Sequence, residues 1–258
     1  MKVTLLGTGD SAGVPQIGCG CDTCSDYADR DDQRTRFSVL VEHAGERVLI
    51  DTSPDLRSQF LREDLTAVDH VVYTHAHYDH YAGLGDLYRV IWRDLPIYGT
   101  EDVLEYVVED RYAYLPFPEP RPVEPHESFG IGALDVELVP VHHPPADCYG
   151  VVLRSDDATV AITSDTGTAI PEATRDAFRG ADLLVADAFI PADREYGDFV
   201  ESRMSDDRHD FADKHMTYEG AEALVEELAP DEAVFVHCSH FFREDREMLG
   251  RDGQSFEL

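Results

Sequence analysis

Apolar positions along this chain fall in short runs bounded by Gly, Asp, Pro or Ser, the signature of strands closed by turns. Runs at 3–6, 37–42, 47–50, 70–73, 134–139, 149–153, 159–163, 183–186 and 233–236 read as strands. Helical periodicity appears at 55–62, 101–108, 172–178 and 218–228. The last is the clearest, because Thr217 can cap it, acids crowd its first turn and Pro230 follows its end. Strand runs dominate both halves with helices between them. This predicts an α/β fold, an αββα sandwich of two packed mixed β-sheets with helices outside. No repeat or low-complexity linker divides the chain, so a single domain over residues 1–258 is expected. Two segments read as excursions from the core: 110–125, rich in Pro and aromatics, and 191–214, polar and densely charged. A long polar loop of the second kind is often a lid.

No stretch approaches the roughly 20 apolar residues that span a bilayer, and the N-terminus reaches Gly7-Thr8-Gly9-Asp10 too soon for a signal-peptide core. A cytoplasmic protein without membrane association is expected. Charge changes the picture more. The chain carries 53 Asp and Glu against 21 Lys and Arg, a formal net charge of −32, and its lysines are Lys2 and Lys214. The acids are spread along the chain, among strand runs that argue against disorder. Such a surface resembles proteins of salt-accumulating halophiles, where salt screens self-repulsion. Under those conditions acidity disfavours a nucleic-acid ligand without excluding one.

The candidate chemistry begins where a strand ends. Val71-Val72-Tyr73-Thr74 runs straight into His75-Ala76-His77-Tyr78-Asp79-His80. His75 and His77 are two apart and can project the same way at a strand end, while Asp79 and His80 follow in the turn. Three imidazoles and a carboxylate suit zinc, manganese or iron; the bland alternative is a run of surface histidines. The same pattern, apolar strand then ligand, recurs at His142-His143, at Asp165 and at His237. It gathers the candidates on one rim of the sheets.

Cys19, Cys21 and Cys24 form a Cys-x-Cys-x-x-Cys cluster with small residues between them. Three thiolates need a fourth ligand for a tetrahedral structural zinc, and His240, three residues past His237, is the candidate. The alternative is a metal-free loop with free thiols. Cys148 and Cys238 read as small buried residues. Trp92, Tyr112, Tyr114 and Phe117 could line a substrate pocket, pack in the core or mark a homodimer contact.

The order His-x-His-x-Asp-His, then His, Asp and His resembles the metallo-β-lactamase superfamily from Gly7-Thr8-Gly9 to His237. That resemblance implies the metallo-β-lactamase fold. It implies one metal on His75, His77 and His143, a second on Asp79, His80 and His237, and Asp165 bridging the two. It favours His143 over its neighbour His142 and makes Asp51 a support behind the ligands. An aspartate at the bridging position is similar to glyoxalase II and the phosphodiesterase branches. The Gly-Thr-Gly-x-x-x-Gly-Val-Pro opening, the cysteine loop and His237-Cys238-Ser239-His240 together resemble the branch of phosphoribosyl 1,2-cyclic phosphate phosphodiesterases, the PhnP branch.

The branch implies a metal-dependent phosphodiesterase acting on a small cyclic phosphodiester through a hydroxide bridging two divalent metals, zinc or manganese, with one structural zinc nearby. It assigns catalysis to His215, as general acid, and to Asp79; His209, in the charged loop, reads as solvated. Rival readings are a tRNA 3′-end endonuclease, a glyoxalase II-like thioesterase and a zinc-binding module without catalysis. The first normally carries a long basic arm, which 191–214 does not resemble; the second normally lacks the cysteine loop; the third would be marked by a missing ligand.

Overall fold

In the strand Glu46–Ile50, Val48 and Ile50 belong to one buried apolar cluster and Leu49 to another. A strand buried on both faces reads as a continuous apolar run, because successive side chains point to opposite sides. The computed structural model describes residues 1–30, 33–192, 211–242 and 246–258, with no side-chain description at 211 and 212. Its strands, in chain order, are β1 (Lys2–Gly7), β2 (Ser38–His43), β3 (Glu46–Ile50), β4 (His70–Val72), β5 (Leu95–Gly99), β6 (Pro118–Pro122), β7 (Ser128–Ile131), β8 (Leu134–His143), β9 (Ala146–Arg154), β10 (Thr159–Ile162), β11 (Leu183–Asp187), β12 (Glu232–Val236) and β13 (Ser255–Glu257).

Among the described residues these form two sheets, ordered β13-β1-β2-β3-β4-β5-β6 and β12-β11-β10-β9-β8-β7. Both are mixed: β3 to β6 run parallel in the first and β10 to β12 in the second, with antiparallel pairs elsewhere. One apolar cluster joins the facing surfaces, with Val3, Val39, Val48 and Val72 meeting Val136, Val151, Val160 and Val185. A second covers the outside of the first sheet, where Leu56 and Phe60 of the helix Leu56–Arg62 sit. A third covers the outside of the second sheet, with Phe178 from the helix Glu172–Phe178 and Leu224 and Leu228 from the helix Tyr218–Leu228. This is the expected αββα sandwich. Among the described residues no helix is long and apolar enough to cross a membrane.

Three helices lie close to expectation; Thr217 Oγ1 accepts from the Gly220 N–H and caps the last of them. The pattern at 101–108 is broken in two, an α-turn Glu101–Leu104 followed by a π-helical stretch Glu105–Arg111. The segment 110–125 is corrected: it holds β6, which pairs in parallel with β5 at the sheet edge. Prolines at 118, 120 and 122 hide it, since they remove ladder donors and are tolerated only on an edge strand. Phe117 is buried in the outer cluster while Trp92 and Tyr114 are exposed, so these aromatics serve different roles. Most of 191–214, with His209, lies outside the described residues; its last turn, Phe211–Lys214, is helical.

The His75–His80 run leads into a short helix, Tyr78–Tyr81, and a 3-10 segment, Ala82–Leu87. That segment is pressed onto the loop after β3: the Thr52 N–H donates to His80 O at 2.7 Å and the Gly83 N–H to Thr52 O at 2.8 Å. A Cβ at Gly83 would stand 2.0 Å from Ser53 O and 2.7 Å from Leu56 Cβ. The obstacle is backbone, so Gly83→Ala forces the ligand run off its seat. Denaturant unfolding should show a loss of about 3 kcal/mol, and metal uptake should fall with it; an unchanged midpoint would refute the tight seat.

Candidate metal centre

Most of the candidate ligands of the histidine run and its partners stand where a strand runs out, Asp79 and His80 lie in the short helix that follows, and several of the strand exits bend through the left-handed region. Asp51, after β3, has φ 60°; Ser164, before Asp165, has φ 55°; His237, after β12, has φ 58°. This conformation costs a non-glycine residue roughly 1–2 kcal/mol, and such departures concentrate at functional sites. Parallel pairing sets the level of the exits: Ile162 faces Val185 and Asp187 faces Val236, so Asp165, Asp187 and His237 emerge at one end of the second sheet. The first sheet brings Asp51 and His75 to the same end, since Ile50 faces Val72.

Two groups of ligand atoms converge there: His75, His77, His143 and Asp165, and Asp79, His80, Asp165 and His237, each within 4.8 Å of one another. In the first, His77 Nδ1 and His143 Nε2 are 3.1 Å apart, and Asp165 Oδ2 is 3.8 Å from His75 Nε2 and 3.9 Å from His143 Nε2. In the second, His80 Nε2 is 3.5 Å from Asp79 and 3.2 Å from Asp165, and His237 Nε2 is 3.5 Å and 3.3 Å from the same carboxylates. Donors on a tetrahedral zinc at its usual bond lengths stand about 3.4 Å apart. Asp165 belongs to both groups. His143 is buried in the cluster, whereas His142, its rival, is half-buried and gives its backbone carbonyl to the Gly167 N–H.

Hydrogen bonds on the far ring nitrogens fix the imidazoles of His80 and His143. His80 Nδ1 donates to Asp51 at 2.7 Å, and the same carboxylate takes the N–H and hydroxyl of Thr74 at 2.9 and 2.7 Å. His143 Nδ1 donates to Lys214 O at 2.9 Å. The inward Nε2 atoms of His75 and His80 are buried and have no hydrogen-bond partner among the described residues. Buried polar atoms are normally satisfied, and pairs of imidazole nitrogens aimed at shared carboxylates fit divalent metal.

The electrostatics agree. Burial first, and then the neighbouring imidazoles, drive His75 well below the ordinary histidine value and His143 down to about 4, in both cases despite Asp165. Burial opposes the charge on His237 too, but Asp165, Asp79 and Asp187 outweigh it and push that imidazole up to about 9. His80 is likewise raised against burial by Asp165, Asp79 and Asp51. Against the same desolvation, His237 and His80 hold Asp165 well below the carboxylate range, and His80 and His237 do so for Asp79. The carboxylates therefore demand positive charge, which protonated histidines meet in part and cations would meet in their place, releasing protons.

His215 lies beside this cluster. Its ring stacks on His237 at 4.7 Å between centroids and 9° between planes, and its Nδ1 donates to Asp187 at 2.7 Å. Asp187 is fully buried, ends β11 and also accepts the Thr166 N–H. The sequence reading missed it, although it follows the apolar run 183–186 as the other ligands follow theirs. His215 and Asp187 also form a group with Asp165 and His237 within 4.8 Å.

The cysteine loop forms a separate group. Sγ of Cys19, Cys21 and Cys24 lie 3.4, 3.4 and 3.5 Å from His240 Nδ1, near the roughly 3.6 Å expected between sulfur and nitrogen on one tetrahedral zinc. Cys21 doubles as N-cap of an unforeseen helix, Asp22–Asp29, its sulfur accepting the Cys24 N–H. Cys148 and Cys238 are buried singly. Two outcomes are expected from metal analysis. Asp51→Ala should weaken metal binding at the histidine cluster by roughly 10–100-fold, because His80 loses its orientation. Cys24→Ser should remove one further metal per chain, and an unchanged metal content in both variants would refute these assignments.

A family model described as a beta-lactamase superfamily domain matches residues 46–238. The crystal structure of a new diphosphatase from the PhnP family superposes with a TM-score of 0.81 at 32% identity, covering 100% of this chain and 96% of that one. Zinc-bound PqqB from Methylobacterium extorquens superposes at 0.84, covering 100% of both chains, and its 21% identity speaks to the fold alone. Ribonuclease Z of Mycobacterium sp. strain KMS is 30% identical over 212 residues, 72% of this chain and 67% of that protein. Some curated relatives are matched only in part: the chain spans 31%, 20% and 41% of the length of an octanoyltransferase from Porphyromonas gingivalis and two PQQ synthesis B proteins. With its ligand order, its αββα frame and these matches, the chain belongs to the metallo-β-lactamase superfamily and resembles the PhnP branch.

Proposed function

We propose that this chain is a phosphodiesterase that hydrolyses a small cyclic phosphodiester, with phosphoribosyl 1,2-cyclic phosphate as the type substrate. In this reading two divalent cations, zinc or manganese, sit on the histidine–aspartate cluster and a structural zinc sits on the cysteine loop. One observation carries it: Asp165 belongs to both ligand groups, and a histidine held by a buried carboxylate stands against that doubled site. Cations bound there supply Lewis acidity and charge neutralisation at a phosphoryl group, together with an activated water.

The chain supplies the rest. An alkoxide leaves poorly unless it is protonated as the bond breaks, so a positioned acid accelerates the step. His215 fills that role. Its Nδ1 is tied to Asp187, which leaves Nε2 as the nitrogen that delivers a proton, and the carboxylate fixes the orientation of the ring. The stack on His237 and the contact with Phe189, 5.1 Å between centroids, hold the ring in place. Asp79 is placed with His80 and His237 and orients the second ligand group.

The ribonuclease Z match favours a nuclease as the second reading. A thioesterase of the glyoxalase II kind shares the ligands and remains the third. Turnover of bis-p-nitrophenyl phosphate and of cyclic phosphodiesters, measured in concentrated KCl beside acyl-glutathione and a tRNA precursor, separates them. Activity on acyl-glutathione alone would overturn the proposal.

Within the phosphodiesterase reading, His215→Ala should keep its metals and lose turnover by about 10²–10⁴-fold. Asp187→Asn should lose turnover as well, and its loss should shrink with substrates whose leaving group needs no proton, such as p-nitrophenolate. Equal losses on good and poor leaving groups would remove the general-acid role.

A further inference from the structure

Arg34 is 5% exposed, and among the described residues no carboxylate lies within ion-pair distance of it. In a chain with 53 acids and 21 bases that is unexpected, because a buried guanidinium without an anion is costly. Its Nη1 donates to Ser239 O at 3.2 Å, and its guanidinium sits 5.1 Å from the centre of the Tyr27 ring. The guanidinium of Arg30 approaches the same ring at 5.9 Å, and it too has no ion-pair partner among the described residues.

Both arginines line one cavity of about 110 Å³, with Tyr27, Gln33, Leu249, Gly250, Arg251 and Asp252. Arg251 and Asp252 also border a larger open cleft of about 650 Å³. Asp252 does not neutralise the cavity. Its Oδ1 takes the N–H and hydroxyl of Thr8 at 2.9 and 2.8 Å; its Oδ2 takes the Thr35 N–H at 2.8 Å, the Thr35 hydroxyl at 2.5 Å and Arg62 at 3.3 Å. Its lone pairs are taken up by those donors, and its ion pair is with Arg62.

We infer that this cavity, apart from the metal centre, binds a phosphate-type oxyanion through Arg30, Arg34 and Arg251. A guanidinium presents paired N–H donors that match phosphate oxygens, and Gln33 adds an amide. The volume has room for an anion of a few heavy atoms, since a water occupies about 30 Å³ of liquid, and the adjoining cleft accepts whatever a phosphomonoester carries. The position links the site to the centre. Arg34 grips Ser239, between His237 and His240, and the cavity wall at Leu249–Gly250 lies on β12, where the Gly250 N–H donates to Phe235 O at 2.8 Å.

The test is calorimetric titration of the metal-loaded protein with inorganic phosphate, in parallel with Arg30→Gln and Arg34→Gln. Phosphate at the metals is common to all three, so the wild type should show one additional class of site, weakened about tenfold or more in each variant. Arg30 is exposed, which keeps the test valid if the buried Arg34 variant fails to fold. A titration with ribose 5-phosphate distinguishes the sources: displacement of phosphate from the additional class marks a phosphomonoester site, and no displacement marks a site for the free anion. Identical isotherms in wild type and Arg30→Gln, with metal content equal, would overturn the inference.

Discussion

The carboxylates of Asp51, Asp79, Asp165 and Asp187 are buried together at one end of the sandwich. Desolvated negative charge of that density is untenable alone, and every feature around it serves to balance it. Imidazoles from His75, His77, His80, His143, His215 and His237 surround the acids, and the acids divide into those that face the imidazole Nε2 atoms and those that hold a ring from behind. Asp51 and Asp187 are of the second kind, each bonding a histidine Nδ1 at 2.7 Å. The two devices are alike in form. One orients His80 as a candidate ligand, the other orients His215 as a candidate acid.

This balance explains why the backbone bends as it does. A strand in regular geometry would carry Asp51, Ser164 and His237 onward in the sheet; a left-handed turn at each redirects the chain at the moment the apolar run ends. The cost is met by packing behind the turns, where Val48, Ile50, Ile162, Val234 and Val236 are fully or almost fully buried between the sheets. A rigid core on one side allows strained, polar, convergent geometry on the other.

The C-terminal part of the chain ties the two candidate metal groups together. His237 lies in the histidine cluster and His240 in the cysteine group, and the turn between them is anchored on both sides: the Cys238 N–H donates to Thr8 O and the Ser239 N–H to Phe189 O. The opening Gly7-Thr8-Gly9 segment thus has a structural reason to accompany the cysteine loop. It forms the shelf on which that turn rests, and Asp252 fastens Thr8 and Thr35 beneath it.

Much of this was legible from sequence because local signals suffice where burial is two-sided. The runs at 47–50 and 183–186 announce strands covered on both faces, the alternation at 134–139 announces one with a single buried face, Thr217 announces a capped helix, and an apolar run followed at once by His or Asp announces a ligand at a strand end. Other features depended on partners far along the chain. β6 exists because β5 offers it an edge, against the preference of its prolines. The helix Asp22–Asp29 starts on Cys21, whose sulfur is also within reach of His240. Asp187 gained meaning only when β11 paired between β10 and β12 and placed it against His215. Periodicity and residue type determined the elements and the chemistry available at their ends. The tertiary structure decided which ends meet, because pairing register, strained turns and the shared burden of buried charge act between segments that no local pattern connects.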